Sequence, residues 1–172
     1  VMGADLTARD GDRVPPLVIR GKALTGAGHD LKVASAQVKS AILLAGLRAE
    51  GQTVVSEPER SRDHTERMLR FLGVDLRVDG TTVRLADVRE WDARDLAVPG
   101  DPSSAAFLVA AALIAPAGEI TVRNVCVNPT RTGFFEILRL MGARVRLVRQ
   151  REVCGEPVAD IRATAGSLRG ID

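Results

Sequence analysis

The chain has 172 residues, of which 45% are hydrophobic and 27% charged. These are the proportions of a globular protein, and they exclude a disordered or low-complexity chain. The net charge is +2, with four Phe, one Trp and no Tyr, which disfavours both a basic nucleic-acid surface and an aromatic platform for base stacking. The longest apolar run covers 105–115 and is too short for a membrane span, which needs about 18 residues.

A pattern of helix end, glycine and strand recurs at intervals of about 70 residues. Its glycines are Gly3, Gly73 and Gly142. We expect each to adopt the left-handed conformation that ends a helix, because glycine does so at the least cost. Each unit reads as strand, helix, strand, helix, strand, strand. The sequence therefore predicts an α/β fold (α+β by some schemes) made of repeated βαβαββ units.

Helices are predicted in chain order over 36–49, 63–72 and 102–115, with strands over 53–55 and 120–122. The first and third helices are apolar nearly all round, so we expect them to be buried inside sheets. The second helix has one apolar edge, and Glu66 and Arg70 form an i,i+4 pair on its other face. It should therefore lie at the surface.

A domain crossover is predicted near the middle of the chain. Charged residues without periodicity fill 89–95, and a short strand is predicted over 96–98 before a Pro-Gly pair interrupts regular structure. The repeat restarts at this point. We therefore predict that residues 1–98 form the last unit of one domain and residues 99–172 the first unit of the other.

The helix over 36–49 starts at Ser35, Ala36 and Gln37, which form a candidate anion-binding site. A helix N-terminus presents free backbone N–H groups and about half a positive charge, so it attracts anions. The Ser hydroxyl and the Gln amide add donors without adding charge, and Lys39 is close in sequence. The alternative is that Ser35 only caps the helix.

Arg62 is a second candidate, at the turn into the helix over 63–72. Asp63 is its predicted N-cap, and Arg62 would then face an anion bound at the Ser35 helix end. The alternative is a solvated basic turn. In the second unit, Asp101 is predicted to cap a helix that begins at Pro102, and we assign this start a structural role.

The sequence contains no phosphate-binding loop, dinucleotide fingerprint, metal cluster or nucleophile elbow, which counts against nucleotide hydrolysis, metalloenzyme and serine-hydrolase functions. Cys126 and Cys154 have no metal-binding spacing and are interpreted as small buried hydrophobic residues in a reducing cytosol. Residues 1–5 lack the basic and apolar regions of a signal peptide, so we expect a cytoplasmic protein.

Four segments carry a resemblance to a known family: 33–41 (VASAQVKSA), 61–66 (SRDHTE), 99–105 (PGDPSSA) and 128–133 (NPTRTG). They closely resemble motifs of the 5-enolpyruvylshikimate-3-phosphate synthases, or 3-phosphoshikimate 1-carboxyvinyltransferases. The resemblance covers essentially the whole chain. It implies two similar domains, each of three βαβαββ units with helices inside sheets, and an active site in the cleft between them. By this resemblance, the chain is the central portion of the enzyme.

The resemblance also implies roles for individual residues. Ser35 and Ala36 match positions that bind the phosphate of shikimate 3-phosphate, and Gln37 matches a residue that contacts both shikimate 3-phosphate and phosphoenolpyruvate. Arg62 matches a cationic position near the shikimate substrate. No catalytic residue is carried over, and Asp172 does not match the family's catalytic Asp.

The implied reaction transfers the enolpyruvyl (carboxyvinyl) group of phosphoenolpyruvate to the 5-hydroxyl of shikimate 3-phosphate and releases phosphate. It belongs to the shikimate pathway of aromatic amino-acid biosynthesis and is inhibited by glyphosate. It needs no metal and no organic cofactor. The implied partners are the two small-molecule substrates, with no nucleic acid and no membrane. The parent enzyme is expected to be monomeric. This chain alone is expected to be inactive, and its second part is expected either to be the less stable half or to protect its apolar surface by self-association.

Two other functions stay open at this stage. UDP-N-acetylglucosamine enolpyruvyl transferase shares the fold and the phosphoenolpyruvate chemistry, but it uses a reactive loop cysteine, and neither Cys126 nor Cys154 lies in a comparable loop. An RNA 3′-phosphate cyclase shares the repeat and belongs to a different functional class. The near-neutral charge and the scarcity of aromatic residues disfavour it.

Overall fold

The computed structural model describes residues 1–171. The chain divides into two compact units, Val1–Arg94 and Asp95–Asp172. The assignment of residues 1–98 and 99–172 to two domains of a larger enzyme stays a prediction, and Asp172 lies outside the described residues. Across the described part of the chain, no helix has both the length and the apolar character to cross a bilayer.

The first unit contains β1 (Asp5–Ala8), the helical turn α1 (Arg9–Asp12), β2 (Val14–Arg20), β3 (Leu24–Thr25), β4 (Gly28–Asp30), α2 (Ala36–Gly46), β5 (Ala49–Glu50), β6 (Thr53–Ser56), α3 (His64–Phe71), β7 (Leu76–Asp79) and β8 (Thr82–Leu85). β1 and β2 form an antiparallel hairpin, and β3 pairs with β5 in parallel. The main sheet has the order β4-β6-β8-β7, with β4 and β6 parallel and the other pairs antiparallel. The elements from β4 to β8 therefore form one βαβαββ unit, as predicted.

The core of the first unit lies between the main sheet and its two helices. Side chains alternate between the two faces of a strand, so Val55 of β6 and Val83 and Leu85 of β8 share one face of the sheet. They pack with Leu43 of α2 and Leu69 of α3, and each of the five is at most 2% exposed. This shared core fixes both helices on the same face of the sheet.

The second unit contains α4 (Pro102–Ile114), β9 (Glu119–Cys126), α5 (Gly133–Leu140), β10 (Arg144–Val153) and β11 (Glu156–Thr164). Its sheet has the order β10-β11-β9 and is antiparallel. A single parallel bridge between Gly100 and Val125 takes the place that β4 has in the first unit. The second unit thus repeats the element order of the first, with the opening strand reduced to one residue.

The predicted glycine repeat is confirmed. Gly3, Gly73 and Gly142 have φ values of 85°, 81° and 83°. After α3 and α5, the residue that follows the glycine donates its N–H to the carbonyl five positions before it, with N···O distances of 3.0 and 2.9 Å. This bonding pattern ends a helix on a left-handed residue.

The expectation that the two apolar helices are buried all round is wrong. In α4, Phe107 and Ile114 are 79% and 77% exposed, and in α2, Val38 and Leu44 are each 47% exposed. α4 buries only the face that meets the sheet of β9, β10 and β11, whereas α2 contacts both the main sheet and the β3–β5 sheet. These sheets leave part of each helix uncovered, so an apolar composition does not by itself produce burial.

Two predicted elements also differ in extent. The helix predicted over 36–49 ends at Gly46, because the chain turns there into the short strand β5. The strand predicted over 96–98 does not form. Val98 is 89% exposed, and the segment pairs with no strand of the described chain. Gly100 makes the parallel bridge instead.

Candidate functional site

Ser35 is the N-cap of α2, as predicted. Its backbone is extended (φ −142°, ψ 104°), and its hydroxyl oxygen accepts a hydrogen bond from the Val38 N–H at 3.4 Å. Its carbonyl oxygen accepts from the Lys39 N–H at 2.9 Å. A hydroxyl that accepts one hydrogen bond still has a proton to donate. Capping the helix and binding an anion therefore do not exclude each other at Ser35.

The first turn of α2 presents backbone N–H donors that are available to a ligand. The N–H groups of Ala36 and Gln37 have no acceptor among residues 1–171, and the turn contains no acidic residue. Ala36 is half-buried and Gln37 is exposed. The partial positive charge of a helix start adds to these donors. The arrangement suits a phosphate or a carboxylate group.

Arg62 is exposed and lies between two anchored neighbours. The Ser61 hydroxyl donates to Glu57 Oε1 at 2.5 Å, and Arg67 Nε donates to Asp63 Oδ1 at 3.0 Å. Asp63 occupies the predicted N-cap position, but its side chain makes no capping hydrogen bond, because the carboxylate binds a charged guanidinium instead. Within residues 1–171 the Arg62 guanidinium has neither a hydrogen bond nor an ion pair.

Two side-chain contacts join the first turns of α2 and α3. Ser40 Oγ lies 2.6 Å from Thr65 Oγ1, and Lys39 Nζ lies 2.7 Å from Glu66 Oε1. These residues lie within the first two turns of their helices, so both helix starts are at the same end of the pair. The structure therefore brings the two predicted binding turns to one side of the first unit.

Lys39, Glu57 and Glu66 form a buried ion triad next to the two helix starts. Lys39 Nζ is 2.8 Å from Glu57 Oε2 and 2.7 Å from Glu66 Oε1, and the three side chains are 2–3% exposed. Burial would lower the pKa of the Lys39 ammonium, but the two carboxylates outweigh burial and raise it. Burial would likewise raise the pKa of Glu57, but hydrogen bonds from Lys39 and Ser61 bring it below its ordinary value. Lys39 and Glu57 are therefore both ionised at neutral pH.

The ion triad was not predicted from the sequence. The predicted surface pair of Glu66 and Arg70 is wrong, because Glu66 is buried against Lys39 and Arg70 Nε donates to the Leu76 carbonyl at 3.2 Å. One signal was available. Lys39 is the only charged residue between positions 33 and 47, and a charge on a largely apolar helix requires a partner if it is buried.

The start of α4 is closed, in the sense that a carboxylate already accepts from its N–H donors, whereas the start of α2 is open. Asp101 is its N-cap, as predicted, and accepts from the Ser104 N–H at 3.1 Å. Arg131 donates to Asp101 Oδ1 at 2.6 Å and to Ser103 Oγ at 2.8 Å. Burial acts to raise the pKa of Asp101, but the backbone N–H groups and Arg131 lower it overall. The cap is thus a carboxylate with its own cation, which leaves no place for an anionic ligand.

Cys126 is buried on β9, and burial raises the pKa of its thiol. Its Sγ lies 3.7 Å from Glu156 Oε2. A thiol that stays protonated at neutral pH is a poor nucleophile. Cys126 therefore lacks the activation that a nucleophilic cysteine requires.

The sequence model of the family described as EPSP synthase (3-phosphoshikimate 1-carboxyvinyltransferase) matches residues 1–172. The chain belongs to the EPSP synthase family. The resemblance carried by the four sequence motifs is confirmed. As a member of this family, the chain has relatives among both curated sequences and solved structures.

The 3-phosphoshikimate 1-carboxyvinyltransferase of Anaeromyxobacter sp. (strain Fw109-5) is 60% identical over 171 residues, and that of Syntrophomonas wolfei subsp. wolfei is 50% identical over 172 residues. The chain spans 40% of the length of each of these relatives. Two structures of EPSP synthase from Acinetobacter baumannii share 45% identity with it, at TM-scores of 0.88 and 0.87. The aligned region is 99% of this chain and 39% of theirs.

The structural similarity confirms the predicted α/β, enolpyruvyl-transferase-like fold for this chain. The roles of Ser35, Ala36, Gln37 and Arg62 stay predictions. The geometry bears on them in one way: it brings the start of α2, where the Ala36 and Gln37 N–H groups have no acceptor among residues 1–171, close to the start of α3, which the exposed Arg62 precedes.

Proposed function

We propose that this chain binds shikimate 3-phosphate at the start of α2, as part of a 3-phosphoshikimate 1-carboxyvinyltransferase. The observation that carries the proposal is the open donor set of Ser35, Ala36 and Gln37 in a member of the EPSP synthase family. A cytoplasmic location, a monomeric parent enzyme and a role in aromatic amino-acid biosynthesis belong to the same proposal.

The phosphate of shikimate 3-phosphate is assigned to the helix end itself. The Ser35 hydroxyl and the N–H groups of Ala36 and Gln37 supply donors, and the helix dipole favours the negative charge. No acidic side chain lies in this turn, so none competes with a dianion for its N–H groups. Hydrogen bonds from neutral donors to a charged phosphate are about twice as strong as those between neutral groups.

The Gln37 side chain is assigned to both substrates. It is exposed at the second residue of α2, and its amide offers two donors and one acceptor. It can thus donate to a carboxylate or phosphate of phosphoenolpyruvate while it contacts a shikimate oxygen. A bridging contact of this kind sets the relative orientation of two substrates, which lowers the entropic part of the activation barrier.

Arg62 is assigned as a cation beside the shikimate substrate. Both substrates are anionic, so bringing them together requires positive charge in the site. A guanidinium without an internal partner can stabilise the charge that develops on the reacting oxygens, and its planar fork fits a carboxylate or a phosphate. Within the described residues, the Arg62 guanidinium has no such internal partner.

The proposed reaction is an addition followed by an elimination. A proton adds to the methylene carbon of phosphoenolpyruvate, and the 5-oxygen of shikimate 3-phosphate bonds to the neighbouring carbon as its own proton leaves. The resulting tetrahedral intermediate loses a proton from its methyl group and releases phosphate, which restores the double bond. The residues of this chain hold and orient the substrates for these steps. We assign the proton transfers to none of them, since Ser35 and Gln37 do not titrate near neutral pH.

Calorimetric titration of the chain with shikimate 3-phosphate tests the proposal. Ser35→Ala should weaken binding by about 10-fold or more, because it removes a hydrogen bond to a charged group. Ser103→Ala, at the closed start of α4, is the matched control and should leave the affinity unchanged. Gln37→Ala should weaken binding of shikimate 3-phosphate and of phosphoenolpyruvate. Equal affinities for the parent chain, Ser35→Ala and Gln37→Ala would contradict the assignment, as would tighter binding of UDP-N-acetylglucosamine than of shikimate 3-phosphate.

A further inference from the structure

We propose that Lys39 is a positioning residue, and that the ion triad it forms with Glu57 and Glu66 fixes the distance between the start of α2 and the Arg62 turn. The inference rests on the proposed function, because it concerns how two predicted parts of one binding site are held in register. Lys39 itself contacts no substrate in this account.

The triad connects three separate elements through one ammonium group. Lys39 belongs to α2, Glu66 to α3, and Glu57 to the turn after β6. The contacts of 2.8 and 2.7 Å leave little freedom, because all three side chains are almost fully buried. Each partner is held by its charge, and a charge removed from water cannot leave its counter-ion without a large penalty. The spacing of the three elements is therefore narrowly defined.

The triad has two arms, that is, two series of contacts that lead away from the Lys39 ammonium. The first arm leads to the donor turn of α2, which is the turn formed by Ser35, Ala36 and Gln37. Lys39 follows Ser35 by four residues, and its own N–H donates to the Ser35 carbonyl at 2.9 Å. The side chain and the backbone of Lys39 thus act on the same helical turn. A shift of α2 along its axis would pull the ammonium away from its two carboxylates and would move the N–H groups of Ala36 and Gln37 at the same time.

The other arm reaches the Arg62 turn. Glu57 uses one carboxylate oxygen for Lys39 and the other for the Ser61 hydroxyl, at 2.5 Å. Ser61 directly precedes Arg62 in the chain. The series of contacts that connects the donor turn with Arg62 therefore consists of Lys39, Glu57 and Ser61. None of these three residues is exposed, whereas Arg62 is.

The composition of the triad favours a positioning role over a purely stabilising one. A buried ion cluster is often no more stable than apolar residues of the same volume. This cluster also has an excess of one carboxylate, and Glu66 Oε2 has no hydrogen-bond partner in the described part of the chain. Apolar side chains would avoid the cost of burying these charges. What the charged groups provide, and apolar ones would not, is contacts of defined direction and length.

Two ligands of different size separate positioning from general stability. Inorganic phosphate engages only the donor turn of α2, whereas shikimate 3-phosphate extends from that turn to Arg62. Ser61→Ala cuts the arm to Arg62, and Glu66→Gln cuts the charge link to α3 while it keeps the side-chain shape. Both variants should bind shikimate 3-phosphate about fivefold more weakly and bind inorganic phosphate with the affinity of the parent chain.

Matched variants control for the loss of any hydrogen bond in the first unit. Ser56→Ala removes the contact of Ser56 Oγ with Thr82 Oγ1 at 3.3 Å. Ser56 directly precedes Glu57 in the chain but belongs to neither arm. It should leave both affinities unchanged. Ser61→Thr keeps the hydroxyl and should restore the parent affinity for shikimate 3-phosphate. Binding is measured in conditions where urea titration shows every variant to be folded.

The outcomes distinguish this inference from the proposed function. If Ser35→Ala weakens binding of shikimate 3-phosphate but Ser61→Ala and Glu66→Gln do not, the positioning role is wrong and the binding site stands. If the two variants weaken phosphate and shikimate 3-phosphate equally, the triad is a stabilising core group only, and the inference is overturned. If Ser35→Ala has no effect on either ligand, the proposed function fails and the inference fails with it.

Discussion

The two units begin their apolar helices with opposite chemistry. α2 is capped by a neutral serine, and the N–H groups of Ala36 and Gln37 are left without acceptors among residues 1–171. α4 is capped by Asp101, which is paired with Arg131. Both helices follow the same position of the same repeat. This repeat therefore places a helix N-terminus at a fixed point, and the capping residue decides whether an anion can bind there.

The ion pairs of the two units differ in burial as well as in position. The Lys39 triad lies inside the first unit, with side chains 2–3% exposed. In the Asp101–Arg131 pair of the second unit, the side chains are 46% and 18% exposed. Solvent screens the second pair and not the first. We therefore expect charge removal to be costly in the first unit and mild in the second.

Lys39→Met gives the largest predicted effect. It should lower the free energy of unfolding of the first unit by about 3–5 kcal/mol, because it leaves two buried carboxylates without their cation. Trp91, the only tryptophan and a residue of the first unit, reports this transition by fluorescence in urea. Arg131→Met is the control and should cost about 1 kcal/mol or less. A Lys39→Met variant as stable as Arg131→Met would show that burial does not separate the two pairs.

Acid should destabilise the first unit through Glu57. The pKa of Glu57 is lowered in the folded state, so its contribution is present above the pKa of the unfolded chain and is lost as pH falls through the folded value. The pKa of Lys39 is raised, so its contribution is lost as pH rises through its folded value. The urea concentration at the midpoint of unfolding, followed by Trp91 fluorescence, should therefore decrease as the pH is lowered from about 5 to about 3. It should also decrease as the pH is raised above about 10.

Glu57→Gln tests the origin of the acid effect. This variant should be less stable than the parent at neutral pH and should show a flatter profile between neutral and acid pH, because the titrating group is gone. The two profiles should converge at low pH, where Glu57 of the parent is protonated. Profiles that stay parallel down to pH about 3 would assign the acid transition to other carboxylates.

The two caps should differ in their contribution to stability. Asp101→Ala removes hydrogen bonds to the Ser104 N–H and to Arg131 and should cost the second unit about 1–2 kcal/mol. Ser35→Ala removes one 3.4 Å hydrogen bond and should cost the first unit about 0.5 kcal/mol. Hydrogen exchange of the α2 and α4 amides measures both. A larger cost at Ser35 than at Asp101 would mean that Ser35 is mainly a structural cap.

Self-association is the weakest effect that we predict. Phe107 and Ile114 of α4 are each more than three-quarters exposed, whereas Val38 and Leu44 of α2 are about half exposed. Exposed apolar area promotes association, so the chain should form concentration-dependent oligomers in sedimentation experiments. Phe107→Ser should suppress them more than Leu44→Ser does. A monomer at all concentrations, or equal effects of the two variants, would remove the proposed difference between the helix faces.

The repeat, the caps and the helix positions were predictable because they depend on local chemistry. Glycine at a left-handed helix end and Asp101 before Pro102 each have a local physical cause. Burial was less predictable, since it depends on how many sheets a helix meets. The composition of α2 and α4 predicts burial all round, yet α4 meets one sheet, and the two sheets that α2 contacts leave Val38 and Leu44 about half exposed.

The Lys39 triad shows most clearly what local sequence patterns could not predict. Its members are 18 and 9 residues apart along the chain, and only the fold of α2, β6 and α3 brings them together. Periodicity assigned Glu66 to a surface pair with Arg70, because an i,i+4 spacing is the strongest local signal for a glutamate on a helix. The tertiary contact with Lys39 prevails over that local pairing, since Lys39 is buried and requires a counter-charge.

The most direct test of the open and closed helix starts is a titration of the ¹⁵N-labelled chain with shikimate 3-phosphate, followed by amide chemical shifts. We expect saturable shifts of the Ser35, Ala36 and Gln37 amides, and none at Ser103 and Ser104. Shikimate without the phosphate should leave the shifts of these three amides nearly unchanged. Equal shifts at both helix starts, or shifts confined to Ser103 and Ser104, would contradict the claim that the capping residue decides which helix end binds the anion.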